Sequence, residues 1–410
     1  MHITLHKSKI TNQKSSIKIT GSKSESNRLL LLKALYPQFN LENISNSDDS
    51  NLMTKALSSQ SNMVDIHHAG TAMRFLTAFF AIQEGREVTL TGSQRMKERP
   101  IQILVEALQE LGADIKYVEN VGYPPIKISG KKLTKHKVSL KANVSSQYIS
   151  ALLLIASKLE NGIELTLEGE ITSVPYIKMT LSLLEEIGIT TSFENNIITV
   201  KPSTTNLQPK TLTVESDWSS ASYYFSIAAL CEIGTEITLS FYKENSLQGD
   251  SVLVDIYKHF GVKTTFGNHS ITLVKSSTIN SQSPLKLDLA NAPDIAQTIA
   301  VTCFALGMPC DLTGLHTLKI KETDRLVALK SEIEKLGGKV EITNESLHLL
   351  ASSSIKENVS IATYNDHRMA MAFAPLALKT SLIIDDAAVV SKSYPTFWDD
   401  LESIGFKITK

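Results

Sequence analysis

The segment KIKETDR, residues 319–325, holds two lysines, a glutamate, an aspartate and an arginine directly before a stretch with helical periodicity. A run of charges is usually a solvated surface. Here Lys321 and Arg325 would stand at the first turn of the helix, where the partial positive charge of the helix end disfavours cations. Something anionic should therefore compensate them, and the segment is a candidate site for binding a charged ligand.

Cations also stand at other predicted helix starts, each next to small residues: Lys23, Arg28, Arg74, Arg99, Arg325 and Arg368. Arg99 precedes Pro100, a favoured first helical residue, and so occupies a cap position to which arginine is poorly suited. Helix N-termini bind anions through free N–H groups, and the planar guanidinium matches phosphate and carboxylate. Several such ends together would suit a ligand with more than one anionic group. The alternative is a repeat that serves only to build a core.

An internal repeat must position these helix starts. Six segments begin with small polar or cap-forming residues and continue as apolar helices: 21–35, 68–82, 144–157, 216–230, 292–306 and 364–378. Equivalent residues recur every 72 to 75 positions, at Thr71, Ser146, Ser219, Asp294 and Asp366. A regular period of this kind indicates repeated structural units.

A second, amphipathic helix type alternates with the first. Each copy ends in a glycine that suits a left-handed cap and is followed by a β-like run; the glycines are Gly112, Gly188, Gly261, Gly337 and Gly405. A weaker sixth copy lies at 50–66. The sequence thus predicts six α/β units, each with one buried helix, one half-exposed helix and strands.

Composition limits the class of protein. The chain has 410 residues, enough for two or three domains, with 42% hydrophobic and 20% charged residues and a net charge of −1. A near-neutral chain argues against a nucleic-acid or membrane partner. Cys231, Cys303 and Cys310 lie in apolar stretches without metal-ligand spacing, which is typical of buried thiols in a reducing compartment. That spacing also leads us to expect no metal site. With no apolar signal core and no apolar run of membrane length, we expect a cytoplasmic protein.

Seven motifs then occur in one order between residues 21 and 371: GSKSESNR, AGTAMR, RMKERPI, VSSQY, NSLQGD, KETDR and YNDHRMAM. In these motifs the sequence resembles the 5-enolpyruvylshikimate-3-phosphate synthase family of enolpyruvyl transferases. The resemblance implies an α/β fold of two similar domains, each of three βαβαββ units, with the active site in the interdomain cleft. The implied domains are 21–214, and 1–20 together with 215–410.

The resemblance also implies an activity. The family transfers the enolpyruvyl group of phosphoenolpyruvate to the 5-hydroxyl of shikimate 3-phosphate and releases phosphate, within the shikimate pathway of aromatic amino-acid and chorismate biosynthesis. No metal or organic cofactor is implied. The chemistry needs a base, an acid, and cations for two phosphates and two carboxylates. We expect a monomer whose partners are these small molecules, and inhibition by glyphosate in competition with phosphoenolpyruvate.

Motif by motif, the resemblance assigns roles to residues. Asp294 would accept the hydroxyl proton, Glu322 would protonate the methylene carbon, and Lys23 would contact both substrates. The residues implied to bind shikimate 3-phosphate are Lys23, Ser24, Arg28, Ser145, Ser146, Gln147, Ser173, Tyr176, Asp294, Thr317 and Lys321. Those implied to bind phosphoenolpyruvate are Lys23, Gly70, Arg99, Gln147, Glu322, Arg325, Arg368 and Lys392. In the opening segment, Asp324 is expected to pair with a neighbouring cation and Lys319 to be solvated.

Two alternatives stay open. One is the related enolpyruvyl transferase that acts on UDP-N-acetylglucosamine, whose usual form carries a cysteine on a loop of its first-half domain; residues 21–214 contain no cysteine. The other is a non-catalytic anion-binding module. Such a module would not need Glu322 and Asp294 as carboxylates among so many cations.

Overall fold

The computed structural model describes residues 1–10, 14–141, 145–169, 171, 174–203, 207–278 and 283–410. The chain divides into two compact units. Gly21–Val214 form one unit, and Met1–Thr20 with Glu215–Lys410 form the other. We refer to them as the inserted unit and the terminal unit.

The strands, in chain order, are β1 Ile3–His6, β2 Lys14–Ile17, β3 Asn40–Glu42, β4 Met63–Asp65, β5 Glu87–Thr91, β6 Asp114–Tyr117, β7 Ile126–Ser129, β8 Lys137–Lys141, β9 Ile163–Glu168, β10 Thr191–Glu194, β11 Ile197–Val200, β12 Thr211–Thr213, β13 Glu236–Ser240, β14 Val262–Gly267, β15 Ser270–Lys275, β16 Leu285–Asp288, β17 Cys310–Thr313, β18 Val340–Ile342, β19 Leu347–Leu349, β20 Val359–Ile361, β21 Leu382–Ile384 and β22 Lys407–Thr409. The α-helices are α1 Lys23–Leu35, α2 Asp48–Ser58, α3 Gly70–Ala81, α4 Gln94–Lys97, α5 Gln102–Glu110, α6 Ser146–Ala156, α7 Val174–Glu186, α8 Trp218–Leu230, α9 Leu253–Ile256, α10 Ala296–Ala305, α11 Arg325–Lys335, α12 His367–Phe373 and α13 Phe397–Ser403.

The predicted repeat appears as one sheet pattern. Within the described part of the chain, five sheets have the order of a parallel pair followed by two antiparallel strands: β4-β5-β7-β6, β8-β9-β11-β10, β2-β13-β15-β14, β16-β17-β19-β18 and β20-β21-β1-β22. Along β15, buried and half-buried residues alternate, as expected for a sheet with one face on a core. The predicted α/β repeat is confirmed.

The sixth, weaker copy is shorter than the others. Among its described residues it keeps only the parallel pair of β3 and β12, in which Leu41 lies opposite Leu212. Only four residues, 59–62, separate α2 from β4. Because so short a connection cannot contain two more strands, this unit has no antiparallel half.

The first strand of the chain completes a sheet of the terminal unit. β1 runs antiparallel between β21 and β22, with Ile3 opposite Ile384 and Leu5 opposite Ile408. Ile3 and Leu5 are buried. The sheet therefore joins the beginning of the chain to its end.

The apolar helices are the buried ones. In α6, every residue from Tyr148 to Ala156 is buried, and α8 and α10 are buried along nearly their whole length. A helix that is apolar on all sides has no face suited to water. The amphipathic helices end as predicted: the five cap glycines at 112, 188, 261, 337 and 405 all have positive φ, between 71° and 109°.

Two predicted helices are shorter than their patterns suggest. Over 249–260 the chain forms two 3-10 segments around the four-residue α9, where Val252, Val254 and several aromatic residues have low helix propensity. α12 ends at Phe373 and continues as the 3-10 segment Ala374–Leu378, because Pro375 has no N–H for an α-helical hydrogen bond.

No helix among the described residues is long and apolar enough to span a bilayer.

Candidate active site

In the terminal unit, the starts of three helical segments bring their charged residues together. We call this set the arginine–carboxylate cluster; its members are Asp294, Lys321, Glu322, Arg325, Asp366 and Arg368. Asp294 lies in the 3-10 turn before α10, Arg325 opens α11, and Asp366 caps α12. Asp294 and Asp366 occupy equivalent positions of successive repeats, 72 residues apart, and Arg325 opens the amphipathic helix between them, so the repeat brings the two acids to the same arginine.

Arg325 is the centre of this cluster. Its side chain is only 2% exposed, and each of its nitrogens contacts a different carboxylate. Nε donates to Asp366 Oδ2 at 2.6 Å, Nη1 to Asp294 Oδ1 at 2.7 Å and Nη2 to Glu322 Oε2 at 2.8 Å. Burial alone would lower the pKa of Arg325, but the three carboxylates raise it above the ordinary value. The compensation predicted for this helix start is therefore present, and it is supplied by three acids.

Asp294 is surrounded by cations. Besides Arg325, it accepts from Arg368 Nη2 at 3.2 Å, and Lys321 Nζ lies 3.4 Å from its Oδ1. Burial favours its protonated form, but Arg368, Lys321 and Arg325 together hold its pKa well below the usual value. Asp294 is thus a carboxylate whose charge is strongly stabilised by its neighbours.

A second acid behaves differently nearby. Asp250, of the NSLQGD motif, is buried and accepts a short hydrogen bond from the Ser219 hydroxyl. Burial, followed by repulsion from Asp294, raises its pKa to about 6, although Arg368 and the Ser219 hydrogen bond oppose the shift. Two carboxyl groups influenced by the same arginine therefore have shifts in opposite directions.

The prediction that Asp324 pairs with a neighbouring cation was wrong. Asp324 is the N-cap of α11 and accepts from the N–H groups of Leu326 and Val327 at 3.1 and 3.2 Å. Its negative charge lies at the helix start, where it is favourable. Lys319 donates to Asn344 Oδ1 at 2.7 Å in an exposed position, so it is solvent-accessible but not unpartnered.

The remaining predicted residues of this unit lie on adjoining segments. Lys392 ends the 3-10 segment Ala387–Lys392, and its Nζ donates to Asn365 O at 2.6 Å. Thr317 lies in the 3-10 segment His316–Ile320, and its buried Oγ1 has no hydrogen-bond partner among the described residues. A buried hydroxyl without a partner is uncommon and is available to a ligand or a water.

In the inserted unit, Arg28 is a buried cation whose guanidinium contacts neutral oxygens. It is 2% exposed, and it donates to Thr180 Oγ1 at 2.8 Å, Ser24 O at 2.7 Å, Ser150 Oγ at 3.0 Å and Tyr176 O at 3.4 Å. Burial lowers the pKa of Arg28 to about 10, with small opposing contributions from Tyr176 and Glu25. Hydrogen bonds to neutral oxygens leave a buried guanidinium able to gain from an added anion.

Lys23, at the first position of α1, lies beside an acid. Its Nζ is 3.8 Å from Asp49 Oδ2, and the Nε2 of His68 is 3.9 Å from the other oxygen of Asp49. Asp49 belongs to the first turn of α2 and is buried. Sequence reasoning did not single out Asp49, although an acid in a first helical turn was a local signal.

Gly70 and Arg99 are close neighbours. A Cβ added to Gly70 would lie 2.4 Å from Arg99 Nη1, so only a glycine permits the observed approach. Arg74, one turn further along α3, donates to Gly70 O and to Pro100 O, both at 3.1 Å. Pro100 O also accepts from the Tyr148 hydroxyl at 2.6 Å. Arg74 therefore links the start of α3 to the segment that carries Arg99.

Two of the three serines assigned to the 3-phosphate, Ser145 and Ser146, lie at the start of α6. Ser145 is exposed and is its N-cap, accepting from Gln147 N at 3.3 Å, whereas Ser146 is buried. Gln147 Nε2 donates to Thr71 Oγ1 at 3.2 Å, which connects the α6 and α3 starts. Tyr176 lies on α7, and its ring faces the Arg28 guanidinium at 5.9 Å. Ser173 lies outside the described residues.

Over the described ranges, no group of three or more His, Cys, Asp or Glu side chains is arranged to hold a metal ion. The three cysteines are unpaired.

Comparison with solved structures first defines the class. An EPSP synthase from Acinetobacter baumannii matches over 100% of both chains with a TM-score of 0.82 and 19% identity. The enolpyruvyl transferase NikO from Streptomyces tendae matches over 100% of this chain and 98% of that chain, with a TM-score of 0.75 and 12% identity. The fold is therefore that of the enolpyruvyl transferases.

The sequence then gives the family. Residues 55–401 match the profile of the EPSP synthase (3-phosphoshikimate 1-carboxyvinyltransferase) family. A 3-phosphoshikimate 1-carboxyvinyltransferase from Bacteroides fragilis is 47% identical over 400 residues, and one from Haemophilus influenzae is 36% identical over 427 residues; each alignment covers 96% of both chains. The chain belongs to the EPSP synthase family of enzymes.

Proposed function

We propose that the chain transfers the enolpyruvyl group of phosphoenolpyruvate to the 5-hydroxyl of shikimate 3-phosphate and releases phosphate. One observation carries the assignment of roles. Asp294 and Glu322, the proposed base and acid, are hydrogen-bonded to two nitrogens of the same buried guanidinium, that of Arg325. A base and an acid held this close can act on neighbouring atoms of one reacting pair.

The addition step uses both groups. Asp294 takes the proton of the 5-hydroxyl, the hydroxyl oxygen bonds to C2 of phosphoenolpyruvate, and Glu322 gives a proton to the C3 methylene. In the elimination step the C2–O bond to phosphate breaks, the leaving phosphate takes the proton held by Asp294, and the new methyl returns a proton to Glu322, so both carboxyl groups regain their starting forms. The products are the enolpyruvyl ether and inorganic phosphate, and no redox change occurs.

Substrate binding would make Asp294 a stronger base. In the free protein its pKa is held low, against the effect of burial, by Arg368, Lys321 and Arg325. Arg325, Arg368 and Lys392 are our candidates for binding phosphoenolpyruvate. Negative charge placed on these arginines would weaken their attraction to Asp294 and raise its pKa towards the usual value. Asp294 would then gain basicity only when the second substrate is present.

The same exchange would prepare Glu322. In the free protein Glu322 Oε2 accepts from Arg325 Nη2 at 2.8 Å. A phosphoenolpyruvate carboxylate that takes this N–H would release Glu322 and bring negative charge beside it. Both changes favour its protonated form, which is the form that can act as an acid.

Residues of the inserted unit would supply the other contacts. Arg28 and Ser24 would bind the shikimate carboxylate, since Arg28 is a buried guanidinium that contacts neutral oxygens. Ser145, Ser146 and Ser173 would hold the 3-phosphate, and Gln147 and Tyr176 would contact the ring. From the terminal unit, Thr317 and Lys321 would contact the same substrate. Lys23, Gly70, Arg99 and Gln147 would contact phosphoenolpyruvate. We further propose a monomer of the cytoplasm, in keeping with three unpaired thiols.

The alternatives are not favoured. The match to the EPSP synthase family over residues 55–401 favours the enzyme that acts on shikimate 3-phosphate over the related transferase that acts on UDP-N-acetylglucosamine. A module that only binds anions would gain nothing from Asp294 and Glu322, because carboxylates occupy the guanidinium that an anion would use.

The test is phosphate release with purified chain and both substrates. We expect release only when shikimate 3-phosphate and phosphoenolpyruvate are both present. Release with UDP-N-acetylglucosamine in place of shikimate 3-phosphate would support the related transferase. Binding of both substrates without turnover would support the non-catalytic module.

Replacing Gly70 with alanine should weaken the binding of both phosphoenolpyruvate and glyphosate, and that of glyphosate more. The added methyl would meet Arg99 Nη1 at 2.4 Å, so this flexible side chain must move. Arg99 is a proposed ligand of both molecules, and glyphosate, being longer, would lie closer to position 70. We expect the inhibition constant of glyphosate to rise more than KM for phosphoenolpyruvate.

Steady-state inhibition assays of Gly70→Ala, Arg99→Lys and the double variant measure this. If the methyl acts through Arg99, the two changes should be non-additive in KM for phosphoenolpyruvate. Additive effects would contradict action through Arg99, and equal weakening of both ligands would contradict the closer approach of glyphosate.

A further inference from the structure

The turn that leads into α12 has an unusual backbone. Tyr364 and Asn365 are consecutive residues with positive φ, 54° and 55°. The left-handed region is disfavoured for residues with a Cβ, and for a bulky tyrosine more than for asparagine. Two such residues in succession persist only where surrounding contacts hold them.

This turn fixes the direction of groups in the proposed phosphoenolpyruvate site. The Asn365 carbonyl accepts from Lys392 Nζ at 2.6 Å. The next residue, Asp366, accepts from Arg325 Nε at 2.6 Å and from the backbone N–H of Arg368 at 2.8 Å. Lys392, Arg325 and Arg368 therefore all have a contact within residues 365–366.

Glu332 holds the other side of the turn. Its side chain is fully buried, and it accepts from the Tyr364 hydroxyl at 2.6 Å and from Ala362 N at 3.2 Å. Lys335 Nζ, 2.8 Å away, balances its charge. Glu332 follows Arg325 by seven residues, two turns along α11, so the two side chains leave the same face of the helix. One helix thus contacts both ends of the segment 362–366.

We propose that Glu332 and Tyr364 are positioning residues for the phosphoenolpyruvate-binding cations, acting through the left-handed turn at 364–365. The proposal rests on the proposed function. Tyr364 is 39% exposed, so its ring contributes little to the core, and its hydroxyl contact serves mainly to select the backbone conformation. Burying the Glu332 carboxylate costs free energy unless hydrogen bonds and an opposite charge compensate it.

Tyr364→Phe removes only the hydroxyl. We expect KM for phosphoenolpyruvate to rise about tenfold, the scale of losing one hydrogen bond to a charged acceptor. KM for shikimate 3-phosphate should change less than about twofold, because the proposed ligands of its carboxylate and 3-phosphate lie elsewhere in the chain. Amide hydrogen exchange of residues 362–366 should become faster. A side chain needed only for stability would not separate the two KM values.

Tyr36→Phe is the matched control, because it also removes a single hydroxyl, which donates to Ser157 Oγ at 2.9 Å in the inserted unit. It should leave both KM values unchanged. Glu332→Met, which removes both acceptor oxygens at similar length, should resemble Tyr364→Phe, and the double variant should be no worse than the more affected single variant in KM for phosphoenolpyruvate, since both changes break the same contact.

The outcomes separate the two proposals. A wild type without turnover would overturn the proposed function, and exchange at 362–366 would still report whether Tyr364 holds the turn. An active wild type with unchanged KM for phosphoenolpyruvate in Tyr364→Phe would overturn the positioning role. So would equal increases in both KM values, or additive effects in the double variant.

Discussion

Replacing Glu322 with glutamine is expected to lower kcat by about 10²–10⁴-fold, the usual contribution of a general acid. Glutamine keeps the shape and one acceptor oxygen, so it can still accept from Arg325 Nη2, which lies 2.8 Å from Glu322 Oε2. It has no proton to give to the methylene carbon. Phosphate release at saturating concentrations of both substrates measures kcat, and both substrates should still bind.

Glu334→Gln is the control for this change. Glu334 lies on α11, the helix that follows Glu322, is exposed and pairs with Lys330 at the surface, so its loss should leave kcat unchanged. A Glu322→Gln variant whose kcat stays within a factor of about three of the wild type would show that Glu322 is not the acid, since general acid catalysis contributes far more. A variant that binds neither substrate would point to a role in binding instead.

Much of the fold could be predicted because its signals are local. A buried helix must be apolar on all sides, and a helix that ends in a left-handed cap prefers glycine. The starts of the buried helices recurred every 72 to 75 residues and the cap glycines every 68 to 76, and the sheets repeat in the same way. The truncated sixth copy was visible as a weaker pattern, although its missing strands were not.

The pairing of charges could not be predicted in the same way. Arg325 contacts Asp294 and Asp366, which are 31 and 41 residues away in sequence. Which carboxylate faces which nitrogen depends on how the three helix starts are packed, and periodicity carries no such information. The N-cap role of Asp324 was by contrast a local signal, because aspartate directly before a helix is a preferred cap.

The turn at 364–365 shows the same limit. Asparagine tolerates the left-handed region, but nothing in the local sequence indicates that Tyr364 adopts it as well. The contact that accompanies this conformation comes from Glu332, on a different helix. Sequence reasoning identified the charged residues after the turn and missed the residues that hold it.

Replacing Arg325 with methionine should lower the free energy of unfolding of the terminal unit by about 3–5 kcal/mol, the cost of breaking a buried ion pair by removing one partner. Methionine fills much of the volume, but Asp366 and Asp294 would lose their hydrogen bonds to the guanidinium. Both tryptophans of the chain, Trp218 and Trp398, lie in this unit. Tryptophan fluorescence during urea unfolding therefore reports its stability directly.

The pH dependence of the free energy of unfolding identifies the cause of the loss in Arg325→Met. The pKa of Asp294 in the folded wild type lies well below its usual value, despite burial, because Arg368, Lys321 and Arg325 hold it there. This group therefore contributes stability above about pH 4, the unfolded pKa, and the contribution is lost as pH falls through the folded pKa. In Arg325→Met the folded pKa of Asp294 rises, and protonation relieves the unpaired charge. The difference from wild type should thus be largest near neutral pH and should narrow in acid.

Lys330→Met, which removes a half-exposed partner of Glu334 on the same helix, should cost no more than about 1 kcal/mol. A loss in Arg325→Met that is independent of pH would mean that the arginine contributes packing rather than charge compensation.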